Sequence, residues 1–186
     1  MSQGRPGSRP PRLLPEGGEM DKSALQTVSY GVYVVSARTG DRLNGQICNT
    51  VFQVTAEPPQ LAISVNRENY THHCLRESGS FSVAVLSEKT PLKYIGRFGF
   101  RCGRDFDKFG EIDYICADTG SPVPTEYAVA YIDCRISEEF DCGTHSLFLG
   151  EVVGAERLGD DPPMTYDYYH RVVKGKSPSR APTFAG

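Results

Sequence analysis

The chain has 186 residues, of which 39% are hydrophobic and 23% are charged, and its formal net charge is −3 at pH 7. These values are typical of one globular domain, which can bury roughly 70% of its unfolded surface without a disulfide or metal staple. The slight negative charge argues against a nucleic-acid partner or an anionic membrane surface. There is neither an apolar run of about 18 residues nor a signal-peptide core, so we expect a cytoplasmic protein that does not span a membrane.

The first residues of the chain differ in composition from the rest. Residues 1–20 are rich in Pro, Gly and Arg and predict a disordered tail, so that the folded domain covers residues 21–186. The segment DKSALQTV that follows predicts one helical turn, capped by Asp21 or Ser23.

The remaining elements are mostly strands. Helices are expected at residues 70–79, ending at Gly79, and at residues 90–100, beginning at Thr90 and Pro91. The strands do not alternate with helices as in a parallel α/β fold, which favours an antiparallel barrel or sandwich. Strands are predicted in residues 29–37, 44–59, 60–66, 80–87, 112–124, 126–140 and 141–158.

Six cysteines are present without any C-x-x-C pair. Cys116 and Cys134 fall in apolar strands, which predicts small buried side chains in a reducing compartment. The adjacent residues His72, His73 and Cys74 point about 100° apart on a helix, so they cannot share one ion and no metal site is predicted.

The segment NGQICNTVFQVTAEPP, residues 44–59, changes face within one predicted strand. Its even positions are polar at Asn44, Gln46 and Thr50 and then apolar at Phe52 and Val54, whereas a half-buried strand keeps one period of two. One interpretation is a β-bulge without a ligand. The other is a bend that presents polar groups to a flat ligand while Phe52 and Val54 pack inward.

Chemistry-bearing residues occur as neutral polar clusters and one cationic loop. Amides and hydroxyls occupy residues 44–55 and 64–73, and basic side chains stand beside glycine in residues 101–108. The chain has no dinucleotide-binding glycine motif and no phosphate-binding loop motif. Neutral polar groups suit a heteroaromatic ring and the cations suit a phosphate, which indicates flavin mononucleotide. Ordinary exposed strand faces remain the alternative.

Three separated segments resemble a known family. They are SYGVYVVSARTGDRLNGQICNTVFQVTAEPPQLAISVNRENYTH, IGRFGFRCGRDFDKF and GTHSLFLGEVVGAE. Together they resemble the flavin reductase-like, FMN-binding split-barrel family, and within it the flavin domains of ferric reductase, flavoredoxin and high-molecular-weight rubredoxin. The resemblance implies a mainly β fold, an antiparallel Greek-key split β-barrel of six strands with a few short inserted helices. It also implies a homodimer with non-covalent FMN at the interface.

The resemblance also implies site residues. His145 would be the catalytic residue, standing near the reactive face where nicotinamide docks, and Tyr166 and Tyr169 would shape that face. Arg101, Cys102, Gly103 and Lys108 would lie at the phosphate. The remaining cofactor-binding residues would be Asn44, Gln46, Cys48, Asn49, Thr50, Val51, Gln53, Ser64, Asn66 and Thr71.

The implied activity is electron transfer from NADH or NADPH, through FMN, to free flavin, a ferric complex, a rubredoxin or oxygen. The alternative is a flavoredoxin-like electron carrier that a partner protein reduces. Cys48 and Cys102 stand where many relatives have Ala and Ser. Thr144 stands where many flavin reductases have Asp, so the pyridine-nucleotide contacts of those reductases need not be kept at this position. No cysteine pair here suits a rubredoxin iron, so a rubredoxin partner would be a separate protein.

Each of these residues can also be interpreted as a purely structural residue that binds no ligand. Arg101 and its neighbours could form a solvated salt-bridge loop, and Thr71 could cap the helix at residues 70–79. His145 could be a turn residue bonded to a backbone carbonyl. The tyrosines could simply pack at a dimer surface.

Overall fold

The computed structural model describes residues 20–183. The predicted disordered tail, residues 1–20, lies outside this part of the chain apart from Met20. A 3-10 helix over Lys22–Thr27 comes first, and the Asp21 side chain accepts a hydrogen bond from the Ser23 N–H. The predicted helical turn and its aspartate cap are therefore confirmed.

Nine strands and three α-helices follow within residues 20–183, and all of their strand pairs are antiparallel. The mainly β, antiparallel fold with short inserted helices is thus confirmed. The strands are β1 (Tyr33–Thr39), β2 (Arg42–Cys48), β3 (Val51–Ala56), β4 (Pro59–Asn66), β5 (Ser80–Leu86), β6 (Tyr114–Cys116), β7 (Pro122–Pro124), β8 (Ala128–Asp141) and β9 (His145–Arg157). The helices are α1 (Tyr70–Ser78), α2 (Leu92–Gly99) and α3 (Tyr166–Arg171).

The main sheet has seven strands in the order β2-β1-β5-β8-β9-β4-β3, and β6 pairs with β7 separately. The two edge strands of the main sheet, β2 and β3, are consecutive along the chain but are not hydrogen-bonded to each other. Only Asn49 and Thr50 connect them. The two edges thus leave an opening in the sheet at this connection.

The change of face in residues 44–59 comes from this connection. Instead of one bent strand, the segment contains two strands, separated at Asn49 and Thr50, and β3 carries a further register shift between Gln53 and Thr55. The expectation that Phe52 and Val54 pack inward is wrong, because their side chains are 49% and 46% exposed. They lie on β3, which is an edge strand of the sheet.

Helices α1 and α2 each cover a hydrophobic cluster. Leu75 of α1 is fully buried with Phe81 and Phe148, and Phe98 of α2 is buried with Ile95 in a second cluster. Each such side chain contributes roughly 1.5–3 kcal/mol of burial free energy, which fixes the helices against the sheet. Both predicted helices are confirmed, and α1 ends as expected at Gly79, in the left-handed region with φ 65°.

The cysteine predictions have mixed outcomes. Cys134 is fully buried, as expected, whereas Cys116 is exposed because β6 is exposed along its whole length and only its partner β7 is buried. None of the helices within residues 20–183 has the length and apolar character needed to cross a membrane.

Candidate functional site

A cavity of about 320 Å³ lies beside the opening between the sheet edges. Its walls come from β2, β4, the first turn of α1, the loop after α2 and the residues around and after α3. Most of the predicted site residues meet in its wall, although they are spread over more than 120 positions of sequence. They are Asn44, Gln46, Cys48, Asn49, Ser64, Asn66, Thr71, Arg101, Cys102, Gly103, Lys108 and Tyr166.

Asn44 is the central polar residue of this wall. Its side chain is 1% exposed, and its Nδ2 donates to Thr71 Oγ1 at 2.8 Å. The Oδ1 atom is buried and has no hydrogen-bond partner among the described residues. A β-carbon at Gly103 would collide with this oxygen, so only glycine lets the loop after α2 approach β2 so closely.

The first turn of α1 faces the cavity through Asn69, Tyr70 and Thr71. The Asn69 side chain makes no capping bond to the helix and instead donates to Gln46 Oε1 at 3.1 Å. The first-turn N–H groups are therefore left without a side-chain cap at the positive end of the helix dipole. Such an end is a ready site for an anion.

Cys48 and Asn49 lie where the chain leaves β2. Cys48 Sγ is 3.6 Å from the carbonyl oxygens of both Thr50 and Ser64, and burial raises the pKa of the thiol to about 12. Cys48 is therefore a neutral wall residue and not a thiolate nucleophile. Asn49 is 4% exposed, and its Nδ2 donates to Thr183 Oγ1 at 2.7 Å.

Positive charge predominates in the cavity wall. Among the described residues, the wall has four cationic side chains and one acidic side chain, Glu68. The cations are Arg101, Lys108, Lys176 and Arg180. The Arg101 guanidinium stacks over the Phe106 ring at 4.9 Å and pairs with no carboxylate among the described residues. An exposed arginine held by an aromatic ring remains available to a phosphate.

Lys108 differs from the other cations because its ammonium group is inside the protein. Its side chain is 3% exposed, and Nζ donates to the carbonyl oxygens of Gly45 at 2.7 Å and Phe98 at 3.0 Å. Burial lowers the pKa of Lys108 to about 8. The residue thus joins the loop after α2 to β2, and its bonds are directed at backbone rather than at the cavity.

An apolar wall completes the cavity. Ile95 and Phe98 of α2 and Tyr166 and Tyr169 of α3 contribute to it, and the two tyrosine rings stack with centroids 6.1 Å apart. Flat aromatic and aliphatic surfaces of this kind suit a planar ring system.

Four predicted residues do not line the cavity: Thr50, Val51, Gln53 and His145. Gln53 is exposed and its Nε2 donates to Thr55 O at 3.1 Å. His145 begins β9 opposite Asn66, and its Nδ1 lies 2.9 Å from Thr144 Oγ1. Its Nε2 is buried with no partner among the described residues. Because directly opposite residues share a sheet face, His145 is next to the cavity wall through Asn66.

Two parts of the wall were not predicted from the sequence. The first is the side of α2, whose residues were expected only as a helix. The second is the covering segment, residues 176–183, of which Lys176 to Pro182 line the cavity. Its composition of Pro, Ser and Lys carries no local signal of a contact with residues more than 100 positions earlier.

Residues 25–176 match the family described as the flavin reductase like domain. The chain belongs to this family. It is a flavin reductase-type oxidoreductase, as the resemblance of its three sequence segments implied. The family match covers all the strands and helices from β1 to α3.

Related proteins agree with this membership. The ferric-chelate reductase (NAD(P)H) of Archaeoglobus fulgidus is 47% identical over 165 residues, covering 89% of this chain and 98% of the relative. The high molecular weight rubredoxin of Moorella thermoacetica is 45% identical over 165 residues, covering 89% of this chain and 72% of the relative. The solved NADH:FAD oxidoreductase of Streptomyces globisporus has a TM-score of 0.69 at 27% identity, covering 84% of this chain and 93% of that one.

The cavity of this flavin reductase-like protein fits a flavin. The unpartnered Oδ1 of Asn44 and the neutral polar wall suit a ribityl chain or a ring edge. The uncapped start of α1 and Arg101 suit a phosphate. The stacked tyrosines offer an apolar surface of the kind that an aromatic ring needs.

Proposed function

We propose that this protein is an FMN-dependent oxidoreductase. It would take electrons from NADH or NADPH and pass them, through non-covalent FMN, to free flavin, a ferric complex, a rubredoxin or oxygen. The observation that carries the proposal is the meeting of the neutral polar wall, the uncapped first turn of α1 and Arg101 in one cavity. The similarity to the ferric-chelate reductase (NAD(P)H) of Archaeoglobus supports NAD(P)H as the donor.

The cationic end of the cavity suits the terminal phosphate of FMN. One terminal phosphate carries nearly two negative charges at neutral pH, which the first-turn N–H groups of α1 and Arg101 can neutralise together. The cavity volume of about 320 Å³ is at the lower end of the range for small-molecule sites, roughly 300–1,000 Å³.

The protein's own residues would bind and orient the cofactor. Asn44 and Thr71 offer hydrogen bonds to the ribityl chain, and Tyr166 and Tyr169 pack against an aromatic ring. Bound FMN supplies the hydride acceptor and the electron carrier, so no protein nucleophile is needed. The neutral thiol of Cys48 is consistent with a non-covalent cofactor. We assign His145 to the nicotinamide side, beside Asn66.

A homodimer is part of the proposal. Phe52 pairs with Ala62, and Phe140 pairs with Leu147, which in turn faces Ser64. Since residues two apart on a strand share a face, Phe52 and Phe140 lie on the same sheet face as Ser64 of the cavity. Both phenylalanines are 49% exposed. Exposed apolar side chains that continue a ligand site suit the core of a subunit interface.

The phosphate assignment is tested by Arg101→Ala. We expect the dissociation constant for FMN to rise about tenfold, the loss of one charge-assisted hydrogen bond, while that for riboflavin stays the same. Arg171→Ala is the matched control, because Arg171 pairs with Asp167 on α3 and does not line the cavity, so neither affinity should change. Equal losses for FMN and riboflavin in the Arg101 variant would refute the assignment.

A second candidate is an electron-transfer flavoprotein reduced by a partner protein. Thr144 beside His145 and the 45% identity to a rubredoxin-containing relative favour it. In this case neither pyridine nucleotide would reduce the flavin, but a reduced redox partner would.

A further inference from the structure

The covering segment, residues 176–183, is fastened at its start to α3. A β-carbon at Gly175 would collide with the Tyr169 ring, so the chain passes directly over that ring only because residue 175 is glycine. Tyr169 Oη then donates to Lys176 O at 3.0 Å. The hydroxyls of Tyr166 and Ser177 are hydrogen-bonded to each other. The segment therefore leaves α3 in a fixed direction.

Its far end is fastened across the cavity. Asn49 Nδ2 donates to Thr183 Oγ1 at 2.7 Å, and Thr183 Oγ1 donates to Tyr166 Oη at 3.1 Å. Asn49 belongs to the connection between β2 and β3, whereas Tyr166 belongs to α3. The residues between Ser177 and Thr183 thus bridge two walls, and they form a third wall themselves.

The middle of the covering segment lies at the anion end of the cavity. Arg180 forms an ion pair of 3.0 Å with Glu68, the residue just before Asn69, which precedes the first residue of α1. Both side chains are more than half exposed, so the pair is weak and a phosphate can replace Glu68 as the partner of Arg180. The segment and the uncapped first turn of the helix thus line the same end of the cavity.

We infer that the covering segment is the element that restricts this site to a flavin mononucleotide. The inference rests on the proposed flavin function. FMN ends at its phosphate, whereas FAD carries an adenylate beyond that phosphate and needs an exit from the cavity at this point. Pro178, Ser179 and Ala181 line the cavity beside Arg180 and would stand in the way of such an adenylate, while Arg180 adds a cation that favours a terminal phosphate.

The test is a set of binding titrations with FMN, FAD and riboflavin on the full chain. Arg180→Ala combined with Thr183→Val removes the two side chains that hold the middle and far end of the segment. The ratio of FAD to FMN dissociation constants should be high for the unmodified chain and should fall about tenfold in the double variant. Riboflavin affinity should stay unchanged, which also shows that the cavity is intact.

Arg171→Ala is the matched control, since it removes an arginine whose ion pair with Asp167 lies on α3, away from the cavity wall. It should leave the FAD to FMN ratio unchanged. The inference is overturned if the unmodified chain binds FAD as tightly as FMN, or if the double variant keeps the original ratio. If the unmodified chain binds none of the three flavins, the proposed function itself fails. The second outcome leaves the proposed function standing, and the first leaves a flavin-dependent oxidoreductase that is not specific for FMN.

Discussion

The ammonium group of Lys108 shows how one residue connects distant parts of the site. It donates to Gly45 of β2 and to Phe98 of α2, so it holds the loop after α2 beside Asn44. The cost is a buried charge, and burial lowers the pKa of Lys108 from 10.5 to about 8. Its contribution to the cavity is mainly positional.

This lowered pKa makes stability depend on pH. Below pH 8 the folded and unfolded chains both carry the Lys108 proton, so the cost of burial is fully present. Between about pH 8 and 10.5 only the unfolded chain holds the proton, and the folded state gains stability as pH rises. The quantity to follow is the difference in the free energy of unfolding between the unmodified chain and Lys108→Met. We expect this difference to rise by up to about 3 kcal/mol between pH 8 and 10.5, in favour of the unmodified chain.

Urea unfolding at a series of pH values measures this difference. Lys89→Met removes an exposed lysine, paired with Asp161 at the surface, and serves as the control. A difference between the unmodified chain and Lys108→Met that stays flat from pH 8 to 10.5 would contradict the buried, charged lysine.

At the scale of elements, the loop after α2 is packed onto β2 through Gly103. In Gly103→Ala the new β-carbon would collide with Asn44 Oδ1, so the loop must move away from the strand. We expect a loss of about 1–3 kcal/mol of stability from the overpacked contact and a clear loss of FMN affinity. Urea unfolding and flavin titration measure the two effects.

Gly96→Ala is the matched control for this loop. Gly96 lies within α2, where a β-carbon meets nothing within 4 Å, so alanine should stabilise the helix by about 0.5–1 kcal/mol without changing FMN affinity. If Gly103→Ala keeps full FMN affinity, the loop does not shape the ligand site.

Local patterns were enough to predict several elements. The turn with Gly40 between β1 and β2 and the end of α1 at Gly79 both need left-handed backbone, with φ of 55° and 65°, and glycine marks both in the sequence. The break after Cys48 was not predicted, because strand-forming residues continue through it and only sheet pairing shows where β2 ends. The prediction that Phe52 packs inward was wrong for the same reason.

In the candidate site, too, some residues could be predicted from the sequence and others could not. Asn44, Thr71 and Gly103 were predicted from composition and family resemblance, and the cavity brings them together. The role of Lys108 was not predictable, since its acceptors are backbone carbonyls, one of them 63 positions away, and any residue type has a carbonyl. The covering segment was missed because its contacts depend on where α3 lies.

At the scale of the whole molecule, exposed apolar side chains continue the cavity face of the sheet. If Phe52 belongs to a subunit interface, Phe52→Lys should convert a dimer to a monomer, because a buried lysine without a partner is costly. Sedimentation equilibrium measures the mass. Leu92→Lys is the control, since Leu92 is 48% exposed on α2, away from this face. A dimer that persists in the Phe52 variant would remove this face from the interface.

The reductase activity itself is tested most directly by anaerobic reduction. The full chain is loaded with FMN, freed of excess cofactor, and mixed with NADH or NADPH without oxygen while the visible flavin absorbance is followed. Rapid bleaching by at least one of the nucleotides is the result that we expect. Bound FMN that neither nucleotide bleaches, although dithionite does, would contradict an NAD(P)H-dependent reductase.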